Sequence, residues 1–251
     1  MPTFRTDPRR PRRARRPGRL ITSRDNEKLK LVRKLQERRW RDRLGLFFVE
    51  GEDGVEAAAG VGIRPVELLV AGENVEPALL AEVSTAAHPP RVIAVFRRSD
   101  LPGPQHRPAV LELWRVADPG NLGALIRTAD AFEAAVALSS GCADPAGPKA
   151  VRASAGSLWR VPLGTLAPGE TAPPGVSSRG RRRVALVAHG GGPLGELDLR
   201  GDTTFLLGAE REGVPRQVER DLDARIPIAG AESLNVAVAA GIALYEWRRQ
   251  N

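Results

Sequence analysis

An α/β fold is what the sequence predicts: a mostly parallel sheet covered by helices in the second half, preceded by a smaller α/β unit. Three observations carry the prediction. Short apolar, β-rich runs alternate with helical patterns along the chain after residue 20, the arrangement from which helix-covered parallel sheets are built. The Pro- and Gly-dense stretch SDLPGPQHRP, residues 99–108, separates two such runs, as a linker would. The longest apolar stretch, 226–245, is interrupted by Glu232, Ser233 and Asn235, which argues against a membrane span. The expected division is a basic arm at 1–19, an α/β unit at 20–98, a linker at 99–108 and a second α/β domain at 109–251.

Taken in order, RRPRRARRPGR is too rich in Pro and Arg to bury a core, so residues 1–19 are expected to be disordered. The segment from Asn26 to Gly45 reads as one basic amphipathic helix, with Leu29, Val32, Leu35 and Trp40 roughly on one side. LFFVEG follows as a strand, EDGVEAAAGV as a helix, VELLVA as a strand, EPALLAEVSTAA as a helix and RVIAVF as a strand. After the linker come the strand AVLELWRV, a helix from Asn121, the strand AVALSS and a helix near KAVRASAG. Residues 164–183 are rich in Pro and Gly where a crossover helix is due, and a mobile loop is expected there. The strands VALVAH, TTFLLGAE and ARIPI and a final helix from about Leu234 to Arg248 complete the chain.

Charge narrows the partners. The net charge is +8, yet residues 1–20 hold eight Arg against one Asp, and residues 21–50 hold nine Lys or Arg against five acids. A basic N-terminal region on a nearly neutral body points to a polyanion, with RNA or DNA leading. Those charges run into TSRDNEKLK rather than an apolar stretch, so they form no secretory signal. Cys142 is the single cysteine, which rules out an intrachain disulfide and suits a reducing cytoplasm. His88, His106 and His189 lack metal-ligand spacing, so neither a zinc centre nor a Ser-His triad is expected.

Three blocks of the second domain carry chemistry. In DPGNLGALIRTADAF, Asn121 reads as an N-cap and Leu122, Leu125, Ile126 and Ala129 as a buried face, while Arg127 falls off that face. A plain cap with a surface arginine, and a functional rim holding both, are equally open on this block alone. In FLLGAEREGVP a strand ends at Gly208, where a ligand can approach the backbone closely, though a strand-ending glycine with no ligand is the commoner case for this block alone, and Glu210 and Gly213 follow in a turn. In ARIPIAGAESLNVAVAAGIALYEW a strand passes through small residues into a helix whose start holds Ser233, Leu234 and Asn235. That start offers free amides to an anion, though both polar residues also read as caps.

Together the blocks resemble the SpoU/TrmH group of the SPOUT superfamily of RNA 2′-O-ribose methyltransferases. The motifs stand in order: Asn121, Gly123, Arg127 and Thr128; then Leu207, Gly208, Glu210 and Gly213; then Ile226, Pro227, Gly230 and Ser233 to Ala237. NEKLKLVRKL and LFFVEG resemble the ribosomal-protein-like substrate-binding domain attached to many members. The resemblance implies a trefoil-knotted sheet, S-adenosylmethionine as cofactor and a homodimer. It also implies cofactor contacts at Leu207, Gly208, Ile226, Ile228 and Leu234. For the reaction it implies Arg127, with Asn121 and Glu210 orienting and Ser233 and Asn235 positioning. Arg127 is always protonated, so its expected part is to hold a phosphate and stabilise charge on the 2′-oxygen. The added N-terminal unit favours large-subunit ribosomal RNA, with transfer RNA or a non-catalytic RNA-binding role as alternatives. A nicotinamide enzyme is disfavoured because HGGGPLG lacks the G-x-G-x-x-G spacing. One departure from the family pattern is Glu133, which follows Phe132 where a glycine is usual.

Overall fold

The structure is a computed structural model, and it describes residues 20–166, 180–209 and 212–251. The expected disordered arm at 1–19, the middle of the expected loop at 164–183, and Glu210 lie outside the described residues.

The first unit opens on helix α1 (Glu27–Leu35), where the Asn26 side chain accepts from the backbone N–H of Lys28 and Leu29, Val32 and Leu35 are buried. The single basic helix expected here is two. The chain breaks at Gln36 and Glu37, and α2 runs Arg38–Leu44. No Gly or Pro marks this break. Arg41, anchored on Asp144 of the second unit at 2.8 Å, donates from its guanidinium to the carbonyls of Leu35 and Gln36 at 2.9 and 2.8 Å, giving partners to groups that a helix end releases. Trp40 is only half-buried, with the cations of Lys34, Arg39 and Arg43 5.3, 5.7 and 5.3 Å from its ring centre.

Gly45, in a left-handed conformation, then turns the chain into strand β1 (Leu46–Glu50). Next come α3 (Glu52–Gly60), β2 (Glu67–Val70), α4 (Pro77–Val83) and β3 (Val92–Arg97). β3 is the middle of a three-stranded sheet, antiparallel to both neighbours. One face, with Phe48, Leu69, Ile93 and Val95, packs on α1 and α4. The other presents Phe47 and Phe96 to Trp159 of the second unit, with ring centres 5.5 and 4.7 Å apart.

The second unit contains β4 (Ala109–Trp114), α5 (Pro119–Ala131), β5 (Ala135–Leu138), α6 (Pro148–Ala153) and β6 (Leu163–Thr165). It continues with β7 (Arg182–Leu186), β8 (Gly192–Pro193), β9 (Thr203–Gly208), β10 (Leu222–Arg225) and α7 (Val236–Gln250). These strands make a seven-stranded sheet in the order β6-β5-β4-β9-β7-β10-β8, every pairing parallel. β4 and β9 are central and buried along almost their whole length, which is why they read as unbroken apolar runs. From β4 the chain moves outward to β5 and β6 and then resumes beyond β9. The carboxyl ends of β4 and β9 therefore flank a switch point, where open α/β sheets bind ligands.

Several local expectations change. The N-cap of α5 is Asp118, whose Oδ1 accepts from the backbone N–H of Asn121 at 2.8 Å; Asn121 sits inside the first turn. Pro119 occupies the first helical position, where its fixed φ and missing N–H are no cost. The two ends of the expected 164–183 loop are strands, because β5 and β9 offer them backbone partners that composition does not reveal. The ARIPI strand stops at Arg225, just before Pro227, which has no N–H to give a ladder.

Ion pairs are built into the frame. Glu112 of β4 receives two bonds from Arg183 of β7 at 3.0 Å and one from Trp114 at 2.8 Å. Burial pushes the Glu112 carboxyl up, and Arg183 only partly offsets it. Between the units, Asp144 takes Arg41 at 2.8 Å and Arg98 at 2.9 Å, and Arg152 of α6 meets Glu50 of β1 at 2.6 Å. Among the described residues no helix is long and apolar enough to cross a membrane.

Candidate active site

At the carboxyl edge of the large sheet, β4, β7, β9 and β10 deliver four loops to one place. β9 ends at Gly208, and Ala209 bridges back to Gly213, whose N–H donates to the Ala209 carbonyl at 2.8 Å. A Cβ on residue 208 would lie 1.9 Å from the carbonyl carbon of Gly213. Only glycine lets these two backbones meet.

Two clefts share a wall here, formed by Gly208, Ala209 and Val236. The first cleft gathers Leu207, Gly208, Ile226, Ile228 and Leu234 from the ends of β9 and β10. Ser233 and Glu232 also line it, and among the described residues no cationic side chain does. Its walls therefore suit an uncharged, partly apolar group, while Glu232 offers a negative charge to a cation. The second cleft, of about 450 Å³, lies on the α5 side and is lined by Arg115, Asp118, Asn121 and Glu212 among others.

Asn235 ties the two halves together. It is the N-cap of α7, its Oδ1 accepting from the backbone N–H of Ala237 at 2.9 Å. Its Nδ2 donates to Oδ1 of Asn121 at 2.9 Å. Helix α7 packs along α5, with Gly241 opposite Thr128. At the start of α5, Lys149 bonds Asp118 at 2.9 Å. The N–H of Asn121 and the Lys149 ammonium hold the Asp118 carboxyl below the usual range, so it remains an anionic cap.

Arg127 lies on the third turn of α5, exposed, with no hydrogen bond or ion pair among the described residues. It lines neither cleft. Six residues separate it from Asn121, about 9 Å along the helix axis. Glu210 lies outside the described residues. Sequence reasoning missed Arg115 and Glu212, which face the second cleft and bond each other at 3.1 Å. The only signal for Arg115 was its place after a buried strand; its left-handed backbone is not written in its residue type. Cys142 is buried close by, and burial pushes its thiol up, so it is inert rather than nucleophilic.

Comparison with known proteins places these features in company. Residues 108–245 match the model of the SpoU rRNA Methylase family, and residues 26–98 match the MRM3-like substrate binding domain. The 23S rRNA (guanosine(2553)-2′-O)-methyltransferase RlmP of Bacillus subtilis is 32% identical, over 91% of this chain and 98% of its own. Among solved structures, an AdoMet-bound rRNA methyltransferase from Sinorhizobium meliloti superposes with a TM-score of 0.79 at 29% identity. That match covers 92% of this chain and 97% of the other. The SpoU methyltransferase AviRb from Streptomyces viridochromogenes, in complex with AdoMet, gives a TM-score of 0.75 at 30% identity, covering 90% and 98%.

Proposed function

Because the chain belongs to the SpoU methylase family, and is therefore an S-adenosylmethionine-dependent RNA 2′-O-ribose methyltransferase, we propose that its target is a ribose in large-subunit ribosomal RNA. The observation that carries the site assignment is the gathering of Leu207, Gly208, Ile226, Ile228 and Leu234 around one cleft, next to the Asn121–Asn235 bond. Support for the ribosomal target is the likeness to the 23S enzyme over nearly the whole of both chains.

The residues present fit the cofactor. Gly208 lets a ligand approach the backbone, the apolar walls suit an adenosine, and Glu232 can face a positive group. When bound, S-adenosylmethionine supplies an electrophilic methyl, so the protein's task is to align the sugar and manage charge. Asn235, fixed by its cap, holds Asn121 of the second cleft and follows Leu234 of the first. Ser233 lies on the cofactor side. Arg127 cannot be a base at any ordinary pH. Exposed and without a partner among the described residues, it can take a phosphate of incoming RNA and stabilise charge growing on the 2′-oxygen. Glu210 is assigned, from the motif alone, to fixing that arginine.

A homodimer completes the reading. On α7, Val238, Ile242 and Tyr245 recur at helical spacing and are 51%, 37% and 63% exposed, an apolar stripe suited to a second copy of the same helix.

The test is methyl transfer from labelled cofactor to unmodified ribosomal RNA, with ribose methylation mapped across total RNA with and without the gene. One new site in large-subunit RNA is expected. Arg127→Ala should keep cofactor binding while transfer drops about 10²- to 10³-fold, the scale for removing one charge-stabilising donor. Wild-type transfer by that variant refutes the role given to Arg127. Methylation confined to transfer RNA refutes the target.

A further inference from the structure

Arg115 holds a conformation that its residue type does not favour. At the carboxyl end of β4 its φ is +55°, the left-handed region where a Cβ crowds the following carbonyl and glycine is favoured. The surroundings enforce it. Its backbone N–H donates to the buried Ser139 hydroxyl at 3.1 Å, and its stem lies on Gly141, where a Cβ would come within 3.3 Å of the Arg115 Cγ. The side chain is thereby aimed across the second cleft to Glu212 at 3.1 Å. That bridge is 57% and 66% exposed at its two ends, and such pairs are weak and screened. A strained residue held by its neighbours and aimed into a cleft marks a functional position.

We propose that Arg115 is a substrate-binding residue: it takes a phosphate of the target RNA at the mouth of the second cleft, and Glu212 is the partner it gives up to do so. This rests on the reading of the chain as an RNA methyltransferase. The cleft shares Gly208, Ala209 and Val236 with the cofactor cleft and reaches Asn121, so a nucleotide held there brings its sugar toward the methyl donor. Among the described residues the one other ionic group lining the cleft, Asp118, is already matched by Lys149 and by its own helix. Arg115 is the one cation lining the cleft among the described residues, its exposed bond to Glu212 costs little to exchange, and a planar guanidinium presents paired donors to phosphate. While no RNA is bound, Glu212 keeps the guanidinium extended over the cleft.

Three single variants of the full chain test this, using unmodified large-subunit ribosomal RNA as probe and labelled cofactor as readout. Arg115→Met keeps the stem and removes the charge: RNA binding should weaken about tenfold. The slope of log affinity against log salt should fall by about 0.7 to 0.9, one phosphate contact. Cofactor affinity should be unchanged. Glu212→Gln releases Arg115, so RNA binding should stay equal or tighten. Arg115→Gly should weaken RNA binding as Met does while thermal stability holds or rises, because glycine is unstrained there. The proposal is overturned if Arg115→Met leaves affinity and salt slope unchanged, or if Arg115→Met and Glu212→Gln weaken binding alike, which would make the bridge a loop clasp. A wild-type enzyme that binds and methylates no RNA sinks the family reading along with it. Normal wild-type transfer with unaffected Arg115 variants sinks this proposal alone.

Discussion

Asn235 donates from Nδ2 to Oδ1 of Asn121 at 2.9 Å, joining residues 114 positions apart, while its own Oδ1 caps α7. One amide thus serves as a helix cap and as a pin between the two clefts, and the two roles can be separated. Asn235→Asp keeps an acceptor for Ala237 but loses the donor to Asn121. Thermal stability should stay near wild type, and transfer should fall about tenfold, the value of one neutral hydrogen bond. Asn235→Ala removes both, and the lost cap costs about 1 kcal/mol more. Thermal melts beside transfer assays check this; equal stability loss in both variants would mean that the pin, not the cap, supports α7.

The exposed stripe of α7 gives a second prediction. Val238→Asp with Tyr245→Asp puts charge into an apolar contact and should convert a dimer to a monomer at micromolar concentration, measured by light scattering. Monomers should bind RNA less well if the arginine of one copy faces RNA held by the other. A wild-type protein that is monomeric at high concentration removes the dimer from the account.

Elements with strong patterns were legible before the structure, and elements decided by tertiary contacts were not. β4 and β9 announce themselves because a central parallel strand is apolar on both faces. The three blocks were legible as a candidate site because glycine at a strand end and Ser or Asn at a helix start each have a physical meaning. The break between α1 and α2 was not legible, since Arg41 caps its carbonyls while also meeting Asp144, 103 positions away. Asn121 was misread as a cap because Asp118, with Pro119 behind it, is the better-placed acceptor. Arg115 was invisible for the same reason as Arg41: its geometry is imposed by Ser139 and Gly141, distant in sequence.

Asp144 locks the two units, and its acid response follows. Burial pushes its carboxyl up, but the hydrogen bond from Arg41 and the charge of Arg98 outweigh this and hold it below the usual range. A depressed folded value adds stability that is present above the ordinary aspartate value, about 3.9, and lost as pH falls through the folded value. Denaturant unfolding should show Asp144→Asn less stable than wild type at pH 7 by about 3–5 kcal/mol, the cost of leaving a buried cation unpaired. That gap should narrow below about pH 4. A constant gap down to pH 2 would show that the carboxylate's charge is not what binds the units.

Glu133 offers a gain of stability. It follows α5 with φ +54°. There the N–H of Ala134 reaches the carbonyl of Ala129 at 2.9 Å, and its own N–H reaches Asp130 at 3.2 Å. This is the left-handed helix ending in which glycine is the favoured residue. Glu133 is exposed, so its side chain has little packing to lose. Glu133→Gly should therefore stabilise the fold by about 1 kcal/mol, raising the melting temperature by about 2–4 °C, with transfer unchanged. Glu133→Ala retains the Cβ and should give no such rise. If alanine and glycine shift the melt equally, the side chain rather than the backbone angle is the source of strain at this position.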